Sequence, residues 1–181
     1  MKFMCQNAGL IMDMIRLQRE FFIRDVLEVA PELIGKIMVV RLGDGVYGRY
    51  NVTEVEAYRG SEDTACHASK GRTGRTEIMY HDGGRLYIYL IYGIYWMLNV
   101  VTGCENEPQA VLIRGVENLY GPGKLTRSFG IDRTYYGEDL TTSDRIWFED
   151  SGIKPVIKTG ERIGIGYAGE YWKRMPWRFY L

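Results

Sequence analysis

The stretch RLYIYLIYGIYWMLNVV, Arg85–Val101, holds four tyrosines and a tryptophan and carries no charge after its first residue. Its uncharged run of about 16 residues is short of the roughly 20 that a helix needs to cross a bilayer, and Gly93 and Asn99 interrupt it, so a membrane span is excluded. Strand alternation accounts for the pattern. Leu86, Ile88 and Leu90 fall on one face and Tyr87 and Tyr89 on the other; after Tyr92-Gly93 the alternation resumes, with Trp96, Leu98 and Val100 opposite Tyr95, Met97 and Asn99. The spacing predicts two strands joined by a turn at the glycine, each with an oily face and a polar-aromatic face.

Outward from this hairpin, residues 36–58 (KIMVVRLGDGVYGRYNVTEVEAY) alternate about an Asp44-Gly45 turn, the strongest hairpin signal in the chain. Residues 109–117 (QAVLIRGVE) read as a further strand and 121–131 (GPGKLTRSFGI) as a Pro/Gly entry into a helix; 161–172 (ERIGIGYAGEYW) and 177–181 (WRFYL) read as strand-like. Leu10, Met14, Leu17 and Phe21 recur at helical spacing, which predicts an amphipathic helix over 10–22, and Pro31 suits the first turn of a second helix ending near Gly35. The sum is α+β: an N-terminal extension over 1–20, then a single domain over 21–181 with a curved, mostly antiparallel sheet, partly open and barrel-like, and helices packed outside.

At 181 residues, 46% hydrophobic and 25% charged, the chain has ordinary globular composition. Its 23 basic and 23 acidic residues balance, so whole-chain charge gives no support for a nucleic-acid partner. Local basic clusters (Lys70, Arg72 and Arg75; Lys124, Arg127 and Arg133; Lys173, Arg174 and Arg178) are more often solvated surface than DNA contacts. Cys5, Cys66 and Cys104 form no CxxC pair and only His67 and His81 could join them, which argues for a reducing compartment and against disulfides or a metal site. Asp13, Arg16, Arg19 and Glu20 break any signal-peptide layout, so a cytoplasmic protein is expected.

In VTEVEAY, residues 52–58, parity puts Val52, Glu54, Glu56 and Tyr58 on one face. On residue type alone the glutamates belong to the wet face of an edge strand; the functional alternative is a general base lining a cleft. His67 and the mid-strand Arg114, which shares a face with Leu112, are each modest signals. Their coincidence with a tyrosine-lined hairpin is stronger.

VTEVEAYRGSEDTACHA, GRLYIYLIYGIYWMLNVVTG, AVLIRGVE, GPGKLTRSFGID and RIGIGYAGEYWKRMPWRFY resemble, in order, the motifs of the alkyladenine (3-methyladenine) DNA glycosylase family, a likeness running from about Phe21 to Leu181. The resemblance implies hydrolysis of the N-glycosidic bond of alkylated or deaminated purines in double-stranded DNA, by a monomer with no cofactor and no metal. It implies Glu56 as the carboxylate that activates water, with Arg114 and the Ile163 carbonyl holding that water. It further implies a base pocket of Tyr58, His67, Tyr89, Asn99 and Leu112, with Asn99 opposing the exocyclic amine of guanine, and a wedge at Tyr92 flanked by Ile94. Lys124 and Arg75 are expected at phosphates, Glu54 behind the catalytic group or in solvent with no catalytic role, and Tyr87, Tyr95 and Trp96 in the core or rim, with Trp96 in the core. The chain departs from the family pattern at Ile94, where methionine is frequent, at Gly74-Arg75-Thr76, where Pro-Arg-Asn is frequent, and in a shortened segment before Gly121. The rival reading is a non-catalytic β module binding single strands, which accounts for the hairpin but not for Glu56; a structural domain with an aromatic core accounts for Tyr89 but not for Glu56, His67 and Arg114 together.

Overall fold

The computed structural model describes residues 15–181. In chain order its elements are α1 (Arg19–Phe22), α2 (Val26–Leu33), β1 (Ile37–Gly43), β2 (Val46–Arg59), β3 (Leu86–Ile91), β4 (Tyr95–Thr102), β5 (Gln109–Val116), β6 (Leu119–Tyr120), α3 (Pro122–Ser128), β7 (Ile146–Glu149), β8 (Lys158–Gly160), α4 (Gly169–Lys173) and β9 (Arg178–Tyr180). The nine strands among the described residues join one open antiparallel sheet in the order β3-β4-β5-β2-β1-β7, with β6 on β5 and the β8–β9 pair on β2. This is the α+β class expected from the sequence. Among the described residues no helix is long and apolar enough to cross a membrane.

The two hairpins form where turn chemistry demanded them. Gly45, with φ 73°, closes β1 onto β2. The long β2 then pairs with β1 through its first half and with β5 and β9 through its second. One sheet face carries the main core: Leu86, Ile88, Leu98, Val100, Val111 and Ile113 pack with Val26, Val29, Ala30 and Leu33 of α2 and Leu125 of α3. The opposite face carries Tyr87, Val101 and Ala110 in a smaller cluster, closed by two 3₁₀ turns at His67–Lys70 and Glu77–Tyr80. The alternation read in Arg85–Val101 is thus the division between a core face and a second face.

Four local expectations are corrected. Val52 does not share a face with Glu56: Val52, Val55 and Ala57 all enter the main core, and the register slips around Thr53 and Glu54. A β-bulge there inverts the alternation, with Val116 following Ile113 into the core on the facing strand. Of the helix expected over 10–22, residues 10–14 lie outside the described ones and only Arg19–Phe22 is helical. Before it the chain is extended, the Leu17 N–H donating to the Phe148 carbonyl at 2.8 Å and thereby satisfying the free edge of β7. Pro31 lies inside α2 rather than in its first turn, because Asp25 starts the helix earlier by accepting the Leu27 N–H at 2.8 Å. Residues 161–168 form a loop leading into α4, not a strand, since Gly164 at φ 80° and Gly169 at φ 75° take left-handed backbone that a strand does not use.

The end of α1 is held against the sheet by the Gly103 N–H, which donates to the carbonyls of Phe22 and Arg24. Gly83 passes so close that a Cβ there would lie 2.3 Å from the Phe22 carbonyl oxygen. Gly83→Ala is therefore expected to destabilise the fold by about 3 kcal/mol, as a backbone collision rather than a displaced side chain. Urea denaturation checks this; a loss below ~1 kcal/mol would mean that α1 shifts freely.

Candidate active site

β2 is an interior strand, so the wet-face reading of its glutamates fails. Glu56 stands opposite Leu112 of β5 and has 0% of its surface exposed. Each carboxylate oxygen has a donor: Oε1 accepts the Ile163 N–H at 2.7 Å, and Oε2 accepts the Tyr58 hydroxyl at 2.8 Å with the Arg114 Nη1 at 3.4 Å. Glu54 is paired as well, with 19% of its side chain still exposed. Its Oε1 accepts from Arg114 Nε at 3.0 Å and Arg178 Nη1 at 3.2 Å, and so orients Arg114 from behind. Burial pushes the Glu56 carboxyl up from its ordinary value, while Arg114, the Ile163 N–H and the Tyr58 hydroxyl draw it part of the way back. A raised carboxyl is a better proton acceptor than an ordinary one.

Above Glu56 opens a cavity of about 540 Å³, in the size range of small-molecule sites. Tyr58, Arg114 and Ile163, all bonded to Glu56, form part of its floor, so the carboxylate lies one layer beneath the surface. His67, Tyr89, Asn99 and Leu112 also line it, and the residues expected at a base pocket are thereby brought together from β2, β3, β4, β5 and a 3₁₀ turn. The His67 and Tyr89 rings meet edge to face at 4.6 Å. His67 Nδ1 and the Tyr87 hydroxyl are 2.8 Å apart, and burial, helped by Arg75 and Lys70, lowers the imidazole to about 4. Burial pushes the Tyr58 and Tyr89 hydroxyls up, which keeps both rings neutral. The Asn99 amide nitrogen donates to the Tyr87 and Met97 carbonyls at 3.0 and 3.3 Å, which fixes the side chain against the wall.

At the hairpin tip Tyr92 is 84% exposed and adopts φ 53°, followed by Gly93 at 67°. The left-handed region costs a non-glycine residue about 1–2 kcal/mol, yet Tyr92 gains no burial in return. Ile94 beside it is also exposed, its N–H closing the turn onto Ile91 at 3.1 Å. Arg75 stands over the Tyr89 ring at 4.9 Å, at the cavity rim. Lys124 is exposed in the first turn of α3, outside the cavity lining. That helix packs so closely on the hairpin that a Cβ on Gly123 would meet the Tyr95 ring at 2.7 Å. Trp96 is half-buried against the main core.

Four participants escaped the sequence reading. Tyr87, assigned to core or rim, is buried yet lines the cavity and holds His67; its place in the polar-aromatic alternation was the signal. Asp63 and Arg162, a fully buried pair beneath Tyr58 and Ile163, had no local signal at all. Lys70, read from the sequence only as part of a basic surface cluster, reaches the cavity lining from its 3₁₀ turn, although it is exposed. Among the described residues no three His, Cys, Asp or Glu side chains gather as a metal site requires.

The family model for methylpurine-DNA glycosylase (MPG) matches residues 20–120 and 118–181. A protein of Psychrobacter cryohalolentis is 42% identical over 83% of this chain and 84% of its own length. One from Rickettsia felis is 45% identical over 84% of this chain and 87% of its own, and one from Desulfitobacterium hafniense 43% identical over 93% and 96%. Each of the three is described as "Putative 3-methyladenine DNA glycosylase".

Because the His67 imidazole is lowered to about 4, from an ordinary value near 6.5, it is neutral through the physiological range. Its ring resonances are expected to stay unchanged between pH 8 and about 5 and to move only near pH 4 in an NMR titration. A midpoint near 6.5 would mean that water reaches the ring freely.

Proposed function

The chain belongs to the methylpurine-DNA glycosylase family, and from that premise we propose that it is a monofunctional glycosylase that flips alkylated or deaminated purines out of duplex DNA and hydrolyses their N-glycosidic bond. Its substrates are of the 3-methyladenine, 7-methylguanine, hypoxanthine and ethenoadenine class. The observation that carries the reading is Glu56, a wholly buried carboxylate held by Arg114, Tyr58 and the Ile163 N–H beneath an aromatic cavity. A β module that merely stacks bases has no use for such a group.

Extruding a purine costs a few kcal/mol of stacking and pairing. Tyr92, exposed and rigidly presented at a turn, fills the vacated space, and the Tyr58, His67 and Tyr89 rings receive the base. A purine methylated at N3 or N7 is cationic, and aromatic faces attract a cation by about 0.5–2 kcal/mol. The neutral His67 adds no repulsion, which favours damaged over normal bases. Asn99, held rigidly in the wall, excludes the exocyclic amine of guanine. Water between Arg114 and Ile163 reaches Glu56 once the Tyr58 hydroxyl yields its place on Oε2. The water oxygen bonds C1′ as the bond from C1′ to the base nitrogen breaks; Glu56 takes the water proton, and the base leaves with the bonding pair. The product is an intact abasic strand. Lys70 lines the cavity but is exposed, without the desolvation that activates an amine nucleophile. The monomeric, cytoplasmic reading belongs to the same proposal.

Glu56→Gln keeps the shape of the side chain and removes the base, so lesion-duplex binding is expected to persist while single-turnover excision of ethenoadenine falls by about 10²–10⁴-fold. In the wild type the rate should rise with pH through the raised Glu56 value and then level, because only the ionised carboxylate accepts the proton. Alkaline cleavage after incubation reads both; unchanged excision by the variant removes Glu56 from the reaction. A borohydride-trapped adduct dependent on Lys70 would overturn the monofunctional chemistry.

Tyr92→Ala should weaken binding to a lesion duplex about tenfold, the worth of one stacked aromatic, with little loss for the same lesion in a single strand, where no stack needs refilling. Fluorescence of a flipped ethenoadenine measures both, and equal losses would count against the wedge.

A further inference from the structure

Arg162 and Asp63 form an ion pair with no exposed side-chain surface on either partner. The pair is bidentate, Nη1 to Oδ2 at 2.5 Å and Nη2 to Oδ1 at 2.9 Å. The guanidinium also donates to the carbonyls of Ala57 at 2.9 Å and Trp172 at 3.2 Å, and lies 4.9 Å from the Tyr58 ring centre and 5.0 Å from that of Trp177. Asp63 in turn accepts the N–H groups of Arg59 at 3.2 Å and Ala65 at 3.0 Å. One charge pair therefore ties β2 just beyond Glu56 to the loop that leads to His67, to the loop carrying Ile163 and to α4.

Stability alone does not account for it. Sealing two charges from water carries a desolvation penalty that well-packed apolar residues avoid, and breaking even often requires every remaining hydrogen-bonding group to be satisfied. Here Arg162 Nε is buried with no partner among the described residues. What the pair does supply is fixed geometry next to the reaction centre. The planar peptide joining Arg162 to Ile163 carries the N–H that donates to Glu56 Oε1.

We infer that Arg162, locked by Asp63, is a positioning residue for the reaction: it holds the Ile163 N–H on Glu56. The inference rests on the reading of Glu56 as the base. Around Glu56 stand Arg114 from β5, Glu54 and Tyr58 on its own strand, Arg178 of β9 bound to Glu54, Tyr89 from β3 and Tyr167 from the loop after β8. If Arg162 lets the loop go, these groups remain while Glu56 loses the donor on Oε1, and burial then favours its protonated form more strongly.

The test is single-turnover excision of ethenoadenine from a duplex across pH by the full chain, comparing wild type, Arg162→Lys, Asp63→Asn and Ile146→Ala, the last a core change on the distant β7. Both pair variants are expected to move the acid limb of the profile to higher pH by about one unit, the worth of one hydrogen bond to a charged group, with lesion binding changed less than about threefold. Ile146→Ala should lose melting temperature without moving that limb. Folded pair variants whose acid limb stays in place overturn the inference. If neither folds, hydrogen exchange of the wild type decides it: the Ile163 amide should open together with those of Arg59 and Ala65, and fast exchange at Ile163 alone refutes the link. Normal excision by Glu56→Gln would instead remove the catalytic reading itself, a separate failure.

Discussion

A carboxylate withdrawn from water is the constraint around which this molecule is arranged. Glu56 has no exposed surface, and an unpaired charge in such a place is costly enough that it neutralises or finds donors. Each donor comes from a different part of the chain: Tyr58 from the same strand, Arg114 from the neighbouring one, and the Ile163 N–H from a loop more than a hundred residues away. Glu54 then pairs with both Arg114 and Arg178, which carries the charge set outward to partly exposed side chains. Removing any member leaves another group buried without its complement.

The sheet makes that arrangement possible by keeping its faces separate. One face packs against α2 and α3 as an ordinary apolar core, while the other holds tyrosines, a histidine and an asparagine over the buried acid. The bulge at Thr53 and Glu54 is the hinge between the two: Val52 and Val55 both turn to the core, so the strand inverts its alternation just before Glu56. Thr53 Oγ1 is left buried without a partner at this irregularity, among the described residues. Strain appears again at Tyr92, a tyrosine in left-handed backbone that is nearly fully exposed. These two departures from regular geometry lie at the two ends of the proposed reaction, where the base is replaced and where water is activated.

The hairpin faces, the Asp44-Gly45 turn and the residues that meet in the cavity were readable from the chain, because alternation, turn chemistry and the family motifs are local patterns. The helix expected over 10–22 was legible, among the described residues, only at Arg19–Phe22, because an apolar residue at helical spacing also fits an extended segment when a strand edge is free to receive it, as β7 is for Leu17. The glycine-rich 161–168 segment looked strand-like for a similar reason: alternate glycines imitate a strand's two-residue period, while the left-handed angle at Gly164 breaks it.

By itself, the sequence determined the sheet, its two-faced hairpin, the family and the identity of Glu56 as the residue to watch. Only the tertiary structure decided that Glu56 is sealed rather than wet, that Tyr87 holds His67, and that Asp63 and Arg162 clamp the loop beneath the cavity. The physical reason is range. Periodicity and turns are set by neighbours a few residues apart, whereas burial and charge pairing depend on what folds over a side chain, and Asp63 and Arg162 are 99 residues apart along the chain. An aspartate in a polar loop and an arginine in a glycine-rich one look like surface until the fold closes over both.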